Sequence, residues 1–315
     1  MKIVRSIEQI DHELNSVVTV GTFDGVHLAH QEIVREVVNR ARMKEGRSVV
    51  VTFDPHPKEV VGKKEDPVQL LSTLDERCEL LSKLNIDLLY IINFTYAFSR
   101  LSSREFYEGE IVRGVGASEV VVGYDHMFGR DREAGIEKLV RMGQEFNFSV
   151  FAVHPYKVDG KTISSSLIRR ALTAGDVESA QRFLGYPYTL SGTTIHGDGR
   201  GKTIGYPTAN IKPSSGKKVV PGNGVYFVGV LWSGTQYFGM MNIGTRPTIT
   251  ETGERTIEVN IFDLEADLYG ETLTVTFLRR LRDELKFSSI TELVEQIDRD
   301  KENCMKYMAE HARKS

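Results

Sequence analysis

Between residues 17 and 154 the chain alternates continuous apolar runs with longer amphipathic stretches. The runs are SVVTVG (16–21), SVVVTF (48–53), LLYIINF (88–94), EVVVG (119–123) and FSVFAV (148–153), rich in Val and Ile with little polar alternation. Strands buried on both faces of a parallel sheet read this way, because neither face meets water. Helical periodicity falls between them, near 28–45, 73–84, 103–113 and 132–146. Thr73 with Glu76, and Ser102 with Glu105, have capping-box spacing at two of these starts. The alternation predicts an α/β half with a doubly wound sheet and helices on both faces.

After Val153 the pattern changes. Residues 164–184 read as two short helices separated by Ala174-Gly175-Asp176, and a break follows at LGYPYTLSG (184–192). Beyond it come GVYFVGVLW (224–232), QYFGMMNIG (236–244), TIEVNIFD (256–263) and ETLTVTFL (271–278), with frequent Gly and Pro between. Short strands with regular turn signals predict a small antiparallel β-barrel or sandwich. A last helix from about Ser288 to His311 carries Ile290, Leu293, Val294, Ile297, Met305 and Met308 at helical spacing, a packing stripe. The expected domains are 1–184 and 185–315.

Size and charge narrow the possibilities. A chain of 315 residues is comfortable for two domains. With 40 basic and 43 acidic residues the formal net charge is −3, which gives no long-range field for nucleic acid or a membrane surface. Two distant cysteines, Cys78 and Cys304, lack metal-ligand spacing and fit a reduced, cytoplasmic protein. The start MKIVRSIEQIDHEL has no apolar signal region, and no apolar run is long enough to span a bilayer.

Two phosphate-handling sites stand out, one in each half. GTFDGVHLAH (21–30) follows a predicted strand and opens a predicted helix, the junction where doubly wound sheets bind ligands. Gly21 and Gly25 permit close backbone approach, and the helix N-terminus offers free N–H groups to phosphate. His27 and His30 share a helix face and can donate to oxygens that gain charge as pyrophosphate leaves. In the second half, GDGRGKTIGYPTAN (197–210) is glycine-rich but not a Walker A sequence. A hairpin connection explains its glycines as well as a phosphate cradle does. Thr208 and Asn210 are two apart, so on an extended segment they face one side as hard ligands for Mg²⁺ carried by a nucleotide. Glu258 interrupts an apolar strand and shares a face with Asn260 and Phe262. A carboxylate there is either a surface residue or a general base for phosphoryl transfer.

GTFDGVHLAH resembles the GxFDGxHxGH motif of the nucleotidylyltransferase superfamily, and ISSSLIRR (163–170) resembles its ISSTxIR partner. The resemblance implies a Rossmann-like nucleotidylyltransferase domain. It places Gly21, Phe23, Asp24 and Gly25 at the nucleotide and Ser164, Ser165 and Ser166 on the triphosphate, with His27, His30 and Arg169 catalytic. TFDPHP (52–57) and VVGYDHMFGRDREAG (121–135) resemble loops of the bacterial flavin adenylyltransferase domain, which puts Asp125 near ATP or flavin. His56 there fits a loop histidine ordered by two prolines or a ligand contact. Ala29, His126 and Met127 depart from the family pattern.

Residues 185–310 are similar to riboflavin kinase through GRGKTIGYPTAN, PGNGVYFVGV (221–230), NIGTRPT (242–248), IEVNIFD, DLYG (267–270) and LRDELKF (281–287). The resemblance implies a small antiparallel β-barrel kinase domain with a C-terminal helix. It places Gly199, Gly201 and Lys202 at ATP, Thr208 and Asn210 on metal and ATP, Glu258 as the base, and Arg282 and Glu284 near flavin. Asn260 stands where a His is common. Together the strings resemble the bacterial bifunctional riboflavin kinase/FAD synthetase family. That family implies riboflavin, FMN and ATP as small-molecule partners, Mg²⁺ with ATP, and neither nucleic acid nor membrane. The first motif alone also permits an adenylyltransferase for another phosphorylated acceptor, which PTAN and Glu258 argue against.

Overall fold

The computed structural model describes residues 1–62, 67–124, 135–197, 201, 204–245 and 255–312. Asp125, His126, Met127, Gly199 and Lys202 lie outside the described residues. The chain forms two compact units, Met1–Ser165 and Ser166–Ser315.

The first unit is built on six strands: β1 (Lys2–Val4), β2 (Ser16–Val20), β3 (Arg47–Asp54), β4 (Leu88–Asn93), β5 (Ala117–Gly123) and β6 (Ser149–Val153). They pair in the order β1-β4-β3-β2-β5-β6, all parallel. Both faces are buried, as the continuous apolar runs require. Val18, Val49, Val51 and Phe53 enter one core, while Val50, Leu89 and Ile91 enter another across the sheet. The edge strand β1 went unanticipated because it has three residues and buries only Val4.

The helices of this unit are α1 (Leu28–Met43), α2 (Pro57–Val61), α3 (Leu74–Ser82), α4 (Tyr96–Ser99), α5 (Ser103–Phe106) and α6 (Ile136–Phe146). Past α5 the chain continues as a π-helix through Val115 and stops at Gly116, whose φ of 79° suits glycine. Both expected capping boxes form, at Thr73 and Ser102. The strand order reverses between β2 and β5, so the carboxyl ends of these two strands bound the crevice where open α/β sheets bind ligands.

The helix α7 (Ser165–Thr173) leads into the second unit, followed by α8 (Val177–Leu184), which Asp176 caps through Ser179 N. Six antiparallel strands then close a barrel in the order β10-β13-β12-β11-β14-β9. They are β9 (Thr189–Ile195), β10 (Ala209–Pro213), β11 (Gly224–Trp232), β12 (Thr235–Thr245), β13 (Arg255–Ile261) and β14 (Thr272–Arg282). Hydrophobic pattern missed β9 and β10. In β9 the inward positions include Gly192 and Thr194, which satisfy the barrel sterically without reading as apolar. The last helix, α9 (Ile290–Ala312), packs Ile297, Cys304, Tyr307 and Met308 against Val225, Phe227, Met240 and Phe262 of the barrel.

Candidate active sites

In the first unit, residues 21–27 join the carboxyl end of β2 to α1. Gly21 N donates to Val51 O at 3.0 Å, which holds the start of the turn against β3. His27 is the N-cap of α1 and its Nδ1 accepts from His30 N at 3.3 Å. The two imidazoles stack with centroids 3.6 Å apart and planes 16° from parallel. The i, i+3 spacing therefore produces a stacked, largely buried imidazole pair, one ring of which also caps the helix.

Phe23 and Asp24, expected at the nucleotide, are both buried in the turn. The Phe23 side chain is buried and meets His30 edge-on at 5.1 Å, so it supports the imidazole from below. Asp24 is wholly buried, and its carboxylate accepts from Leu71 N and Ser72 N at 3.0 Å. In the folded chain the Phe23 ring packs on His30 and the Asp24 carboxylate holds the turn to the 71–72 backbone. His56 is buried as the N-cap of α2, accepting from Lys58 N at 3.2 Å. Among the hydroxyls of the second motif, Ser165 donates to Asp24 O at 3.1 Å, which brings the two strings of the first site together. Ser164 is exposed; Ser166 and Arg169 follow on α7 in the second compact unit.

Burial holds the His30 pKa well below its ordinary value of 6.5, and the positive charges of His27 and Arg77 push the same way. Its Nδ1 is buried and accepts no hydrogen bond among the described residues. His30 is thus neutral near pH 7 in the folded chain. Below pH 6.5 the unfolded chain takes up a proton that the folded chain refuses, so stability falls with acidification through that window. Comparing urea midpoints at pH 7 and about pH 5.5 should show a smaller acid loss for His30→Ala than for the parent chain.

The second site lies on adjoining barrel strands. Asn210 of β10 is in register with Glu258 of β13, which is in register with Asn242 of β12. Thr208 Oγ1 donates to Glu258 Oε2 at 3.3 Å. Asn260, two residues along β13, donates through Nδ2 to Pro207 O at 2.7 Å and so anchors the PTAN segment. Gly201 is required at its position, since a Cβ there would run into Tyr206 O. Among the described residues no cluster of three or more His, Cys, Asp or Glu side chains is placed to hold a metal. The hydroxyl of Thr208 and the amide oxygen of Asn210 are nonetheless hard donors, suited to Mg²⁺ that takes its other ligands from nucleotide phosphates and water.

A cavity of about 330 Å³ opens beside these groups, the size of a small-molecule site. Thr208, Asn242, Glu258 and Asn260 line its polar side. Met240, Leu285, Phe287, Leu293 and Ile297 form an apolar wall. Arg282 and Glu284 also line it, but each is already engaged by protein. Asn223 Nδ2 donates to Glu284 Oε2 at 2.9 Å, and Arg282 Nε pairs with Asp300 Oδ2 at 2.8 Å. Gln296 Nε2 holds the other Asp300 oxygen at 2.9 Å. Tyr206 donates to Asp298, a second tie from α9 to this site.

Beyond the packing stripe expected of it, α9 contributes Leu293, Ile297 and Asp300 to the cavity. Leu293, Ile297 and Asp300 fall on one face, and a charge on that face was the signal available. Asp300 is only 3 % exposed, so Asp300→Ala leaves the Arg282 guanidinium without its partner. The expected loss is about 3 kcal/mol of unfolding free energy, measured by urea titration of fluorescence.

A glycine turn opening a helix on a parallel sheet, and a hydroxyl–carboxylate cluster beside a cavity on a closed barrel, are features of a two-domain transferase. Residues 9–167 match the FAD synthetase family model and residues 184–308 the riboflavin kinase model. The bifunctional riboflavin kinase/FMN adenylyltransferase of Listeria monocytogenes is 36 % identical over 297 residues, 94 % of each chain. That of Bacillus subtilis is 36 % identical, covering 95 % of this chain and 94 % of its own. The Escherichia coli protein is 33 % identical, covering 95 % and 96 %. The chain belongs to the bifunctional riboflavin kinase/FMN adenylyltransferase family. A crystal structure from Streptococcus pneumoniae, described as a macrolide-efflux protein, has TM-score 0.85 and 34 % identity, covering 96 % of this chain and 97 % of that one. Among the described residues here, no helix is long and apolar enough to cross a membrane.

Proposed function

We infer that the chain converts riboflavin to FAD in two ATP-dependent steps, phosphorylation on the barrel and adenylylation at the parallel-sheet turn. The observation that carries the reading is the meeting of Thr208 with Glu258, 50 residues apart in sequence, beside a cavity with an apolar wall. In the first step the ribityl 5′-hydroxyl attacks the γ-phosphorus of ATP. Glu258 takes the hydroxyl proton, and the bond from the γ-phosphorus to its bridging oxygen breaks to release ADP. Thr208 and Asn210 hold the metal-bound nucleotide, and Asn260 keeps their segment in place through Pro207. Mg²⁺, when bound, neutralises phosphate charge. The ring system of riboflavin lies against the apolar wall, with α9 as part of it.

In the second step a phosphate oxygen of FMN attacks the α-phosphorus of a second ATP, and pyrophosphate leaves. The attacking phosphate is already anionic, so this step needs alignment and charge stabilisation more than a base. His27, His30 and the backbone amides of the turn provide them. The part assigned to Arg169 rests on its motif alone. Domain borders of 1–184 and 185–315 keep ISSSLIRR with the turn it serves. The two cysteines are free thiols, in keeping with a cytoplasmic enzyme.

The test is a time course of purified chain with riboflavin, ATP and Mg²⁺, resolved by chromatography. FMN rising first and FAD following supports both steps and their order. Flavin binding without turnover overturns the reading.

A further inference from the structure

Three residues of the adenylyl-transfer turn have left-handed backbone: Phe23 at φ 48°, Gly25 at 78° and Val26 at 34°. A β-branched residue such as Val26 is strained there, and such strain persists only where surrounding contacts over-determine the conformation. The contacts come from the segment before α3. Ser72 is 1 % exposed, and its Oγ accepts from Gly25 N at 2.8 Å. The same hydroxyl donates to Asp24 Oδ1 at 3.3 Å, and Ser72 N donates to that oxygen at 3.0 Å. One buried side chain therefore links the backbone amide of the turn's glycine to the carboxylate beside it. A second tie runs from α3 through β3. Arg77 donates to Thr52 Oγ1 at 3.2 Å, and Thr52 Oγ1 donates to Thr22 O at 3.2 Å.

We propose that Ser72 is a positioning residue for adenylyl transfer: its hydroxyl holds the strained 22–26 turn so that the turn's amides and His30 meet the phosphates of ATP. The proposal rests on the adenylyl-transfer reading of this turn. Ser72 itself touches no substrate. Its oxygen is consumed by Gly25 N, and Asp24 fixes the orientation of its proton. Without the hydroxyl, Gly25 N has lost its buried acceptor, and the turn gains by relaxing away from the geometry that receives ATP.

The test measures the KM for ATP in FAD formation from supplied FMN, for the parent, Ser72→Ala, Ser72→Thr and Ser72→Val. Incomplete folding raises an apparent KM only by the reciprocal of the folded fraction, so in variants shown to be folded by circular dichroism at the assay temperature a merely structural role leaves KM unmoved. Ser72→Thr and Ser72→Val have nearly the same volume and differ in the hydroxyl, which removes overpacking from the comparison. The Ala and Val variants should raise this KM about tenfold, the Thr variant by no more than about threefold. The KM for ATP in riboflavin phosphorylation should stay at the parent value throughout. A KM within about twofold of the parent for Ala and Val, or equal values for Thr and Val, overturns the proposal. His30→Ala in the same assay separates the two levels. If it forms FAD as the parent does, the turn is not the ATP site and the role of Ser72 falls with that reading.

Discussion

Replacing Glu258 by Gln should lower FMN formation from riboflavin by about 10²- to 10⁴-fold while FAD formation from supplied FMN continues. Gln keeps the size of the side chain and an oxygen that can still accept from Thr208 Oγ1, now 3.3 Å from the carboxylate. It removes only the ability to take the proton of the ribityl hydroxyl. Asn210 and Asn242, in register on either side, have no proton-accepting charge to substitute for it. The KM for ATP should change little, because Thr208 and Asn210 remain. Chromatographic separation of riboflavin, FMN and FAD reads both steps from one sample. Loss of both activities in a folded variant contradicts a two-site enzyme.

His30→Ala should have the opposite signature, with FAD formation reduced about 10²- to 10³-fold and FMN accumulating. The imidazole stacks on His27 at 3.6 Å and rests on the edge of Phe23, so its position is set before substrate arrives. A donor held in place costs no reorganisation at the moment charge develops on pyrophosphate. Because burial and the charges of His27 and Arg77 hold its pKa low, the bound triphosphate is the counter-charge that favours its protonated form. ATP binding to the parent should therefore take up more protons than binding to His30→Ala, measurable by calorimetry in buffers of different ionisation enthalpy. His27 needs a different substitution, since it also caps α1. His27→Asn supplies another good N-cap and removes only the imidazole. A fall in FAD formation in that variant separates catalysis from capping.

Much of this architecture is legible in the sequence. The five apolar runs correspond to β2 through β6, because a strand buried on both faces leaves an uninterrupted local pattern. The two helices around Ala174-Gly175-Asp176 and the barrel strands after residue 223 follow from turn chemistry and residue type in the same way. Glu258 was visible as a charge in an apolar strand. The string at 21–30 is legible as a strand-to-helix turn, but the inward packing of Phe23 and Asp24 is not.

Local chemistry controls strand and helix periods, helix caps, glycine turns and the residue types of the two candidate phosphate sites, and all of these can be read along the chain. The tertiary structure decided what depends on partners far along the chain. Asp24 turns inward because the amides of Leu71 and Ser72 receive its charge. His30 stays neutral because burial and Arg77 disfavour its cation. Asp300 enters the cavity wall because Arg282 waits there. Burial and charge pairing are energies of the assembled neighbourhood, and no window of sequence contains that neighbourhood.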